Sequence, residues 1–464
     1  MNNDETVLGT ASAVVTEQDI TLDTEPIICD AKPASPYQLS FKIESIRPDF
    51  CYASVIIPKN LVEVIYHEAA SSQQHSAQTY GFHHGAVPIQ YIKQNFKENL
   101  VEHLKELLFK FCVIDYLYEQ IRAQKLVVAG DPRLHDIKME PNQDAQFIFE
   151  LSLYPELTIY EWKYFPFKAP KRKNYKDLDR QVETFVEMEK KRFSQITNNE
   201  LTVGDWVGFN LSFVDKNDKP LLENFSQDYW FKLGEDETES PLRGIFLGRR
   251  QGEAFYSHDQ TLQEYFSNLL DTDYHFKIGI TNALHYEYFC FEQFKRTFRI
   301  KTNKEMHKKL IEVFSYRNDV SQRHAMVEEA FNALLSKHQM NIPNHLILRR
   351  QKILIERMKS NPDYNVYRVQ KNFQDQIRKL AIKQTTEMVF IDKLAYQENL
   401  SVSDDDVKGY LNLLNRPRMK EFIYFDLPLF KIQGQEMPIP SSELKRICLR
   451  EKAINYVIYH LTKK

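Results

Sequence analysis

Four histidines, His67, His75, His83 and His84, fall within eighteen residues and raise the question of a metal site. No cysteine or carboxylate stands beside them at ligand spacing, so they read as loop histidines and no metal is expected. The five cysteines, Cys29, Cys51, Cys112, Cys290 and Cys448, are far apart, odd in number and without a CxxC pair. They signal neither a disulfide framework nor zinc, and fit a reducing compartment. A nucleophile elbow, a P-loop, a dinucleotide fingerprint and an HExxH are all missing, which removes the usual machinery for covalent, phosphoryl or hydride chemistry, and no cofactor is expected. Lysines and arginines crowd the stretch 163–176 around Pro166 and Pro170. It reads as a solvated linker, with contact to RNA or phosphate as the alternative. Aromatic residues are abundant, 25 Tyr and 31 Phe; most must be core, and a surplus would line greasy surfaces that bind unfolded chain.

Composition narrows the class further. The 464 residues suggest about three domains, and 61 Lys+Arg against 64 Asp+Glu argue against a strongly nucleic-acid-binding chain and against direct DNA binding. Only 13 glycines are present, too few for Gly-rich barrels, propellers or long flexible linkers. No apolar run approaches the roughly 18 residues of a membrane span. The first thirty residues hold seven acids and no Lys or Arg, unlike a secretory signal, so no membrane association and a cytoplasmic location are expected.

The elements that must position these residues follow from apolar periodicity. Residues 1–37 are acidic and aperiodic, which predicts a disordered tail. From Phe41 to Ile57 two strands are expected, the second too mixed to name its buried face, then a helix carrying Leu61, Val62, Ile65, Tyr66 and Ala69. The stretch 71–90 reads as a loop. Phe96 to Ile121 repeats at three and four and predicts a helix of about 28 residues, about 40 Å long. Phe147 to Tyr160 alternates as strand, closing an α+β domain over 38–167. Residues 168–200 read as linker and connecting helix, from Leu178 to Gln195. Residues 201–290 alternate as a small β-rich domain, with DKND at 215–218 as turn material. Residues 291–464 form an all-helical domain, with a capping-box start at Ser403 and Asp406 and a hydrophobic staple of Val402 with Val407.

Within this frame the segment GFHHGAVP, from Gly81 to Pro88, resembles G-F-R-x-G-x-x-P, the ribosome-docking loop of bacterial trigger factor chaperones. The order of parts is similar as well. YPELTIYEWKYF at 154–165 looks like the segment closing that family's first domain, residues 201–290 stand where its FKBP-type prolyl isomerase domain belongs, and NIPNHLILRRQ at 341–351 and the stretch from Phe373 to Leu411 look like its helical end. The resemblance covers residues 38–464. It implies an α+β ribosome-binding domain, a small FKBP-like β-rich domain and an all-helical chaperone domain. It further implies a ribosome near the polypeptide exit and nascent or unfolded polypeptides as partners, a ribosomal RNA contact, and a homodimer away from the ribosome.

The departures qualify each implied role. Gly81, Phe82, His83, His84, Gly85 and Pro88 would form the docking loop, but His83 and Ala86 replace the family's usual cations. Imidazoles supply little charge near pH 7, so docking weaker and less salt-dependent than the family's is expected. Prolyl isomerisation breaks no bond; an apolar pocket lowers the barrier of about 18 to 20 kcal/mol by stripping water from the imide. Leu211, Tyr229, Leu242, Tyr265 and Phe276 fall on the family's pocket positions, Leu221 or Leu222 replaces another aromatic, and the floor segment reads ESPL with Glu239 where an apolar residue belongs. Either a weakened isomerase survives or these residues are the core of a β-domain that no longer catalyses. Ile347, Leu354, Tyr364, Tyr367, Phe390 and Tyr410 are the candidates for holding clients, with core as the commoner meaning of each. Three functions remain in view: an ATP-independent holding chaperone at the ribosome, a free prolyl isomerase, and a ribosome-independent assembly chaperone.

Overall fold

The computed structural model describes residues 38–128, 130–153, 159–171, 177–195, 199–214, 226–266, 274–338, 340–359, 361–427, 431–432 and 434–463. The acidic segment 1–37, the DKND turn, Leu221, Leu222 and the first five residues of YPELTIYEWKYF lie outside them.

The first domain opens with strands β1 (Ser40–Arg47) and β2 (Phe50–Ile57) and helices α1 (Lys59–Ser76), α2 (Ile89–Asn95), α3 (Lys97–Leu108) and α4 (Ile114–Ala123). Strands β3 (Arg133–Lys138) and β4 (Ala145–Ser152) complete an antiparallel sheet of order β1-β2-β4-β3. Its packed face is the one that the mixed pattern of β2 left open: Cys51, Ala53, Val55 and Ile57 are fully buried beside Ala145, Phe147 and Leu151 of β4. Pro58 and Pro88, with φ −67 and −62, precede α1 and α2, where a missing N–H and a fixed φ are harmless. The predicted loop is shorter than expected, because its first polar residues, 71–76, continue α1. The predicted long helix exists as α3 and α4 joined by a π turn over Phe109–Val113. Strand β3 had no clear apolar alternation, since its residues are mostly exposed.

A charged helix, α5 (Leu178–Gln195), leads to the middle module of β5 (Trp206–Val214), β6 (Gln227–Lys232), α6 (Arg243–Phe246), β7 (Ala254–Ser257), α7 (Gln260–Phe266) and β8 (His275–Leu284). The C-terminal part comprises α8 (Phe291–Thr297), α9 (Asn303–Phe314), the pair β9 (Tyr316–Arg317) and β10 (Val320–Ser321), and α10 (Gln322–Leu335). After α11 (Asn344–Lys359), α12 (Tyr364–Arg368), α13 (Phe373–Gln397) and α14 (Asp404–Leu414) come β11 (Lys431–Ile432), β12 (Gln435–Glu436), β13 (Ile439–Pro440) and α15 (Ser441–Thr462). The predicted start of α14 is present: Ser403 N–H donates to Asp406 Oδ2 at 2.8 Å.

The C-terminal part is therefore helical but not all-helical. Strand β13 leaves it to pair with β6 as the edge of the middle sheet, whose order is β13-β6-β5-β8-β7. Two residues are too few to show a period, and Pro440 hides the strand from any propensity argument, although an edge position tolerates a proline.

One ion pair ties three of these parts together. Glu189 on α5 is 1% exposed and Arg416, just after α14, is 8% exposed. Arg416 donates from Nε and Nη2 to the two Glu189 oxygens at 2.8 and 2.9 Å, and its other donors reach the carbonyls of Tyr286 and Glu287 at the end of the middle module. Glu189 also accepts from Phe289 N–H at 2.7 Å. Glu189→Ala would strand the Arg416 charge in the interior and should cost about 3–5 kcal/mol, read as a lowered urea midpoint for the transition of the C-terminal helices. Truncating the exposed Arg192, which also meets Glu189 at 2.7 Å, should change that midpoint little.

Candidate functional site

The GFHHGAVP segment forms the exposed turn between α1 and α2. Gly81 and Gly85 adopt φ of +91 and +77, the left-handed region that glycine enters without a Cβ clash. Below the tip, Val87 is fully buried and its carbonyl accepts from Gln74 Nε2 at 2.7 Å. Phe82, His83, His84 and Pro88 face solvent, and Phe82 leans on Tyr91 with ring centroids 5.1 Å apart. Tyr80, one residue before the motif, is fully exposed beside them. No lysine or arginine lies between Ala77 and Ile92. Lys93 is next, its Nζ 3.1 Å from His67 Nδ1. His75 lies in α1, with its side chain outside the described residues. Among the described residues no group of three His, Cys, Asp or Glu side chains is placed to hold a metal ion.

The middle module brings the five predicted pocket residues to one face of its sheet and then fills that face. Leu211 on β5, Phe276 on β8 and Leu242 before α6 are fully buried, and Tyr229 on β6 nearly so; Tyr265 on α7 is half-buried, its hydroxyl donating to Glu436 O at 3.0 Å. Phe266 sits among them, 5.3 Å from the Tyr229 ring and 6.2 Å from Phe276. Glu239 is exposed, and its carbonyl accepts from Glu436 N–H at 2.7 Å.

The first domain closes over this cluster. At the π turn, Phe109 stacks toward Phe149 of its own sheet at 6.1 Å, while Phe111, on the opposite side, meets Phe213 edge-on at 4.5 Å and Phe266 at 5.8 Å. Beside it, His103 Nε2 lies 2.7 Å from the Tyr274 hydroxyl. His103 is almost fully buried, and burial, followed by the nearby Lys110, pulls its pKa down to about 4. The five residues thus stand in a core shared by two domains.

The client-binding candidates divide by location. Ile347 and Leu354 of α11 are buried against Phe373, Ile377 and Ala381 of α13. Phe390 and Tyr410 are interior, the latter donating its hydroxyl to Phe425 O at 2.8 Å, because α13 and α14 turn these stripes onto α15 and its neighbours. Only Tyr367, 40% exposed, and the half-buried Tyr364 reach solvent. Most of the apolar surface lies on residues outside the six candidates: Leu348, Val366, Val369, Leu380 and Ile382 are all substantially exposed. No helix among the described residues is long and apolar enough to cross a membrane.

Comparison with known proteins gives a consistent result. A family model described as bacterial trigger factor protein matches residues 39–187, and one described as bacterial trigger factor protein C-terminus matches residues 302–458. Trigger factor of Rickettsia prowazekii (strain Madrid E) is 21% identical over 394 residues, covering 81% of this chain and 84% of the relative. Trigger factor of Hamiltonella defensa is 26% identical over 177 residues, 38% of this chain and 39% of the relative. A solved chain from work on promiscuous substrate recognition by the trigger factor chaperone is 15% identical, with a TM-score of 0.35 over 90% of this chain and all of that one.

The junction at His103 should respond to acid. A histidine pKa held below its ordinary 6.5 contributes stability that is complete above pH 6.5 and is lost as pH falls toward 4, on the order of 3 kcal/mol in all. The thermal midpoint should drop between pH 6.5 and 4, and His103→Gln, which still bonds to Tyr274 but does not titrate, should drop less.

Proposed function

The chain belongs to the bacterial trigger factor family, and we propose that it is a ribosome-associated chaperone that holds nascent polypeptides on exposed apolar surface in the cytoplasm, without nucleotide. The observation that carries this reading is the arm of α11, α12 and α13. Between residues 348 and 382 it presents Leu348, Val366, Tyr367, Val369, Leu380 and Ile382 to solvent, with exposures from 37% to 75%. Apolar side chains left uncovered on a helical arm hold unfolded segments weakly and with little sequence choice, since any apolar segment gains by covering them.

The exposed Gly81–Pro88 turn supports docking at the ribosome, and the lack of lysine or arginine from Ala77 to Ile92 supports docking that rests more on Tyr80 and Phe82 than on charge. Any prolyl isomerase activity is weakened in this reading. The side chains that would line a pocket pack on one another and under Phe111, which leaves a proline ring little room among them.

Three measurements test the proposal. Replacing Val366, Tyr367 and Val369 together by Ser should lower suppression of client aggregation several-fold without lowering the thermal midpoint, because the side chains removed are exposed; unchanged suppression would sink the holding role. Ribosome co-sedimentation should fall when Tyr80 and Phe82 become Ala and should decline only shallowly with salt. No sedimentation at any salt would leave a ribosome-independent chaperone. In a proline-limited refolding assay, substoichiometric protein should leave the slow phase nearly unaccelerated, whereas an isomerase-led protein would accelerate it catalytically.

A further inference from the structure

Behind the arm, α11, α13 and α15 line a cavity of about 400 Å³ whose wall combines apolar side chains with five cations and the four acids Asp131, Glu387, Asp426 and Glu443. Ile353, Leu380, Met388 and Ile447 supply the apolar side, and Leu380 continues onto the exposed surface of the arm. The cationic side carries Arg350, Arg357, Lys383, Arg446 and Arg450.

Most of these cations already have counter-ions. Arg357 bonds to Asp426 at 2.9 Å, Arg446 pairs with Asp131 at 2.6 Å, Arg450 grips Asp392 through two bonds of 2.8 and 2.6 Å, and Lys383 meets Glu328 at 2.9 Å. Arg350 is different. Its Nε donates to Gln384 Oε1 at 2.9 Å, but among the described residues its two terminal nitrogens have no acceptor and its charge has no ion-pair partner. Burial, then the neighbouring Arg357 and Arg450, draw its pKa down to about 10, the sign of a cation held in a partly desolvated, like-charged place. Burial pushes the facing acids Glu387 and Glu443 upward, Glu387 to about 7, which leaves Glu387 only partly charged near neutrality.

We propose that Arg350 is a carboxylate-recognition point inside the client surface, and that the cavity takes an acidic side chain of an unfolded polypeptide whose apolar neighbour packs against Leu380 and Met388. The inference rests on the client-holding reading and specifies which clients the arm prefers. A planar guanidinium with two free, parallel N–H donors matches a carboxylate bidentately, and charge-assisted bonds of this kind are about twice as strong as neutral ones. Charge complementarity at Arg350 selects the occupant: acids already match the other wall cations, so a basic segment would meet an uncompensated guanidinium and an uncharged apolar one would leave its donors unsatisfied. The chain would then discriminate among clients by acidity, a selectivity that a purely apolar surface lacks.

The test is fluorescence anisotropy with the full chain and two labelled, unstructured peptides that differ only by Glu→Gln at one position between leucines. The Glu peptide should bind wild type roughly tenfold tighter and lose that advantage as chloride rises. Arg350→Gln should erase the difference while leaving the Gln peptide's affinity unchanged, and Arg350→Lys should keep part of it. Equal binding of the two peptides to wild type, or equal loss of both in Arg350→Gln, overturns the inference. If the Gln peptide still binds, the holding role survives that failure; if neither peptide binds wild type, the holding role falls too. Competition by inorganic phosphate beyond that of chloride at matched ionic strength, without Glu-over-Gln discrimination, would mark a small-anion site instead and also overturns the peptide assignment.

Discussion

A single desolvated ion pair, Glu189 with Arg416, is the constraint on which the arrangement of parts depends. Two charges in the interior are tolerable only when each satisfies the other and the remaining donors and acceptors are met. Here the partners beyond Arg192 and the Asn415 carbonyl are backbone groups of Tyr286, Glu287 and Phe289, so the connecting helix, the exit of the middle module and the end of α14 must converge on one point. Asp205 does similar work nearby. Fully buried, it accepts from the Tyr286 N–H at 2.7 Å and lies 2.9 Å from His285 Nδ1, and that hydrogen bond holds the histidine's pKa above its ordinary value.

With that point fixed, the long helix of the first domain has two faces to bury. Its own sheet takes Phe109; the middle module takes Phe111. Residues two apart on a helix point nearly opposite ways, so this one stretch of chain serves two cores at once. The middle module consequently spends its aromatic side chains on cohesion.

The arm has the opposite character. Its buried cluster is small, Ile347, Leu354, Phe373, Ile377 and Ala381, and more apolar side chains than this cluster can cover remain outside. Such a surface lowers the stability of the free protein slightly and is retained where binding unfolded chain is the purpose. The cavity at its base, lined by charges of both signs, joins that greasy exterior to the charged interface between the first domain and α15, where Asp131 meets Arg446 at 2.6 Å.

Much of this was readable from the residues alone, and for a reason. Strand and helix periods are local, so β1, β2, α5 with its bounds from Leu178 to Gln195, and the capping start at Ser403 follow from neighbours a few positions apart. The Gly81–Pro88 turn is legible because glycine at 81 and 85 permits the left-handed backbone that other residues avoid. Burial, by contrast, is a relation between distant segments. Glu189 and Arg416 are 227 residues apart, and Tyr265 and Glu436 are 171 apart. Whether Phe390 faces a client or a core, whether Phe111 packs inside its own domain or across to the next, and whether Ile439 and Pro440 leave the helical part to extend a sheet are settled only when those segments meet. Local sequence determines which surfaces are apolar, and the tertiary arrangement decides which of them are left for a partner, because covering one surface requires another that the local pattern does not name.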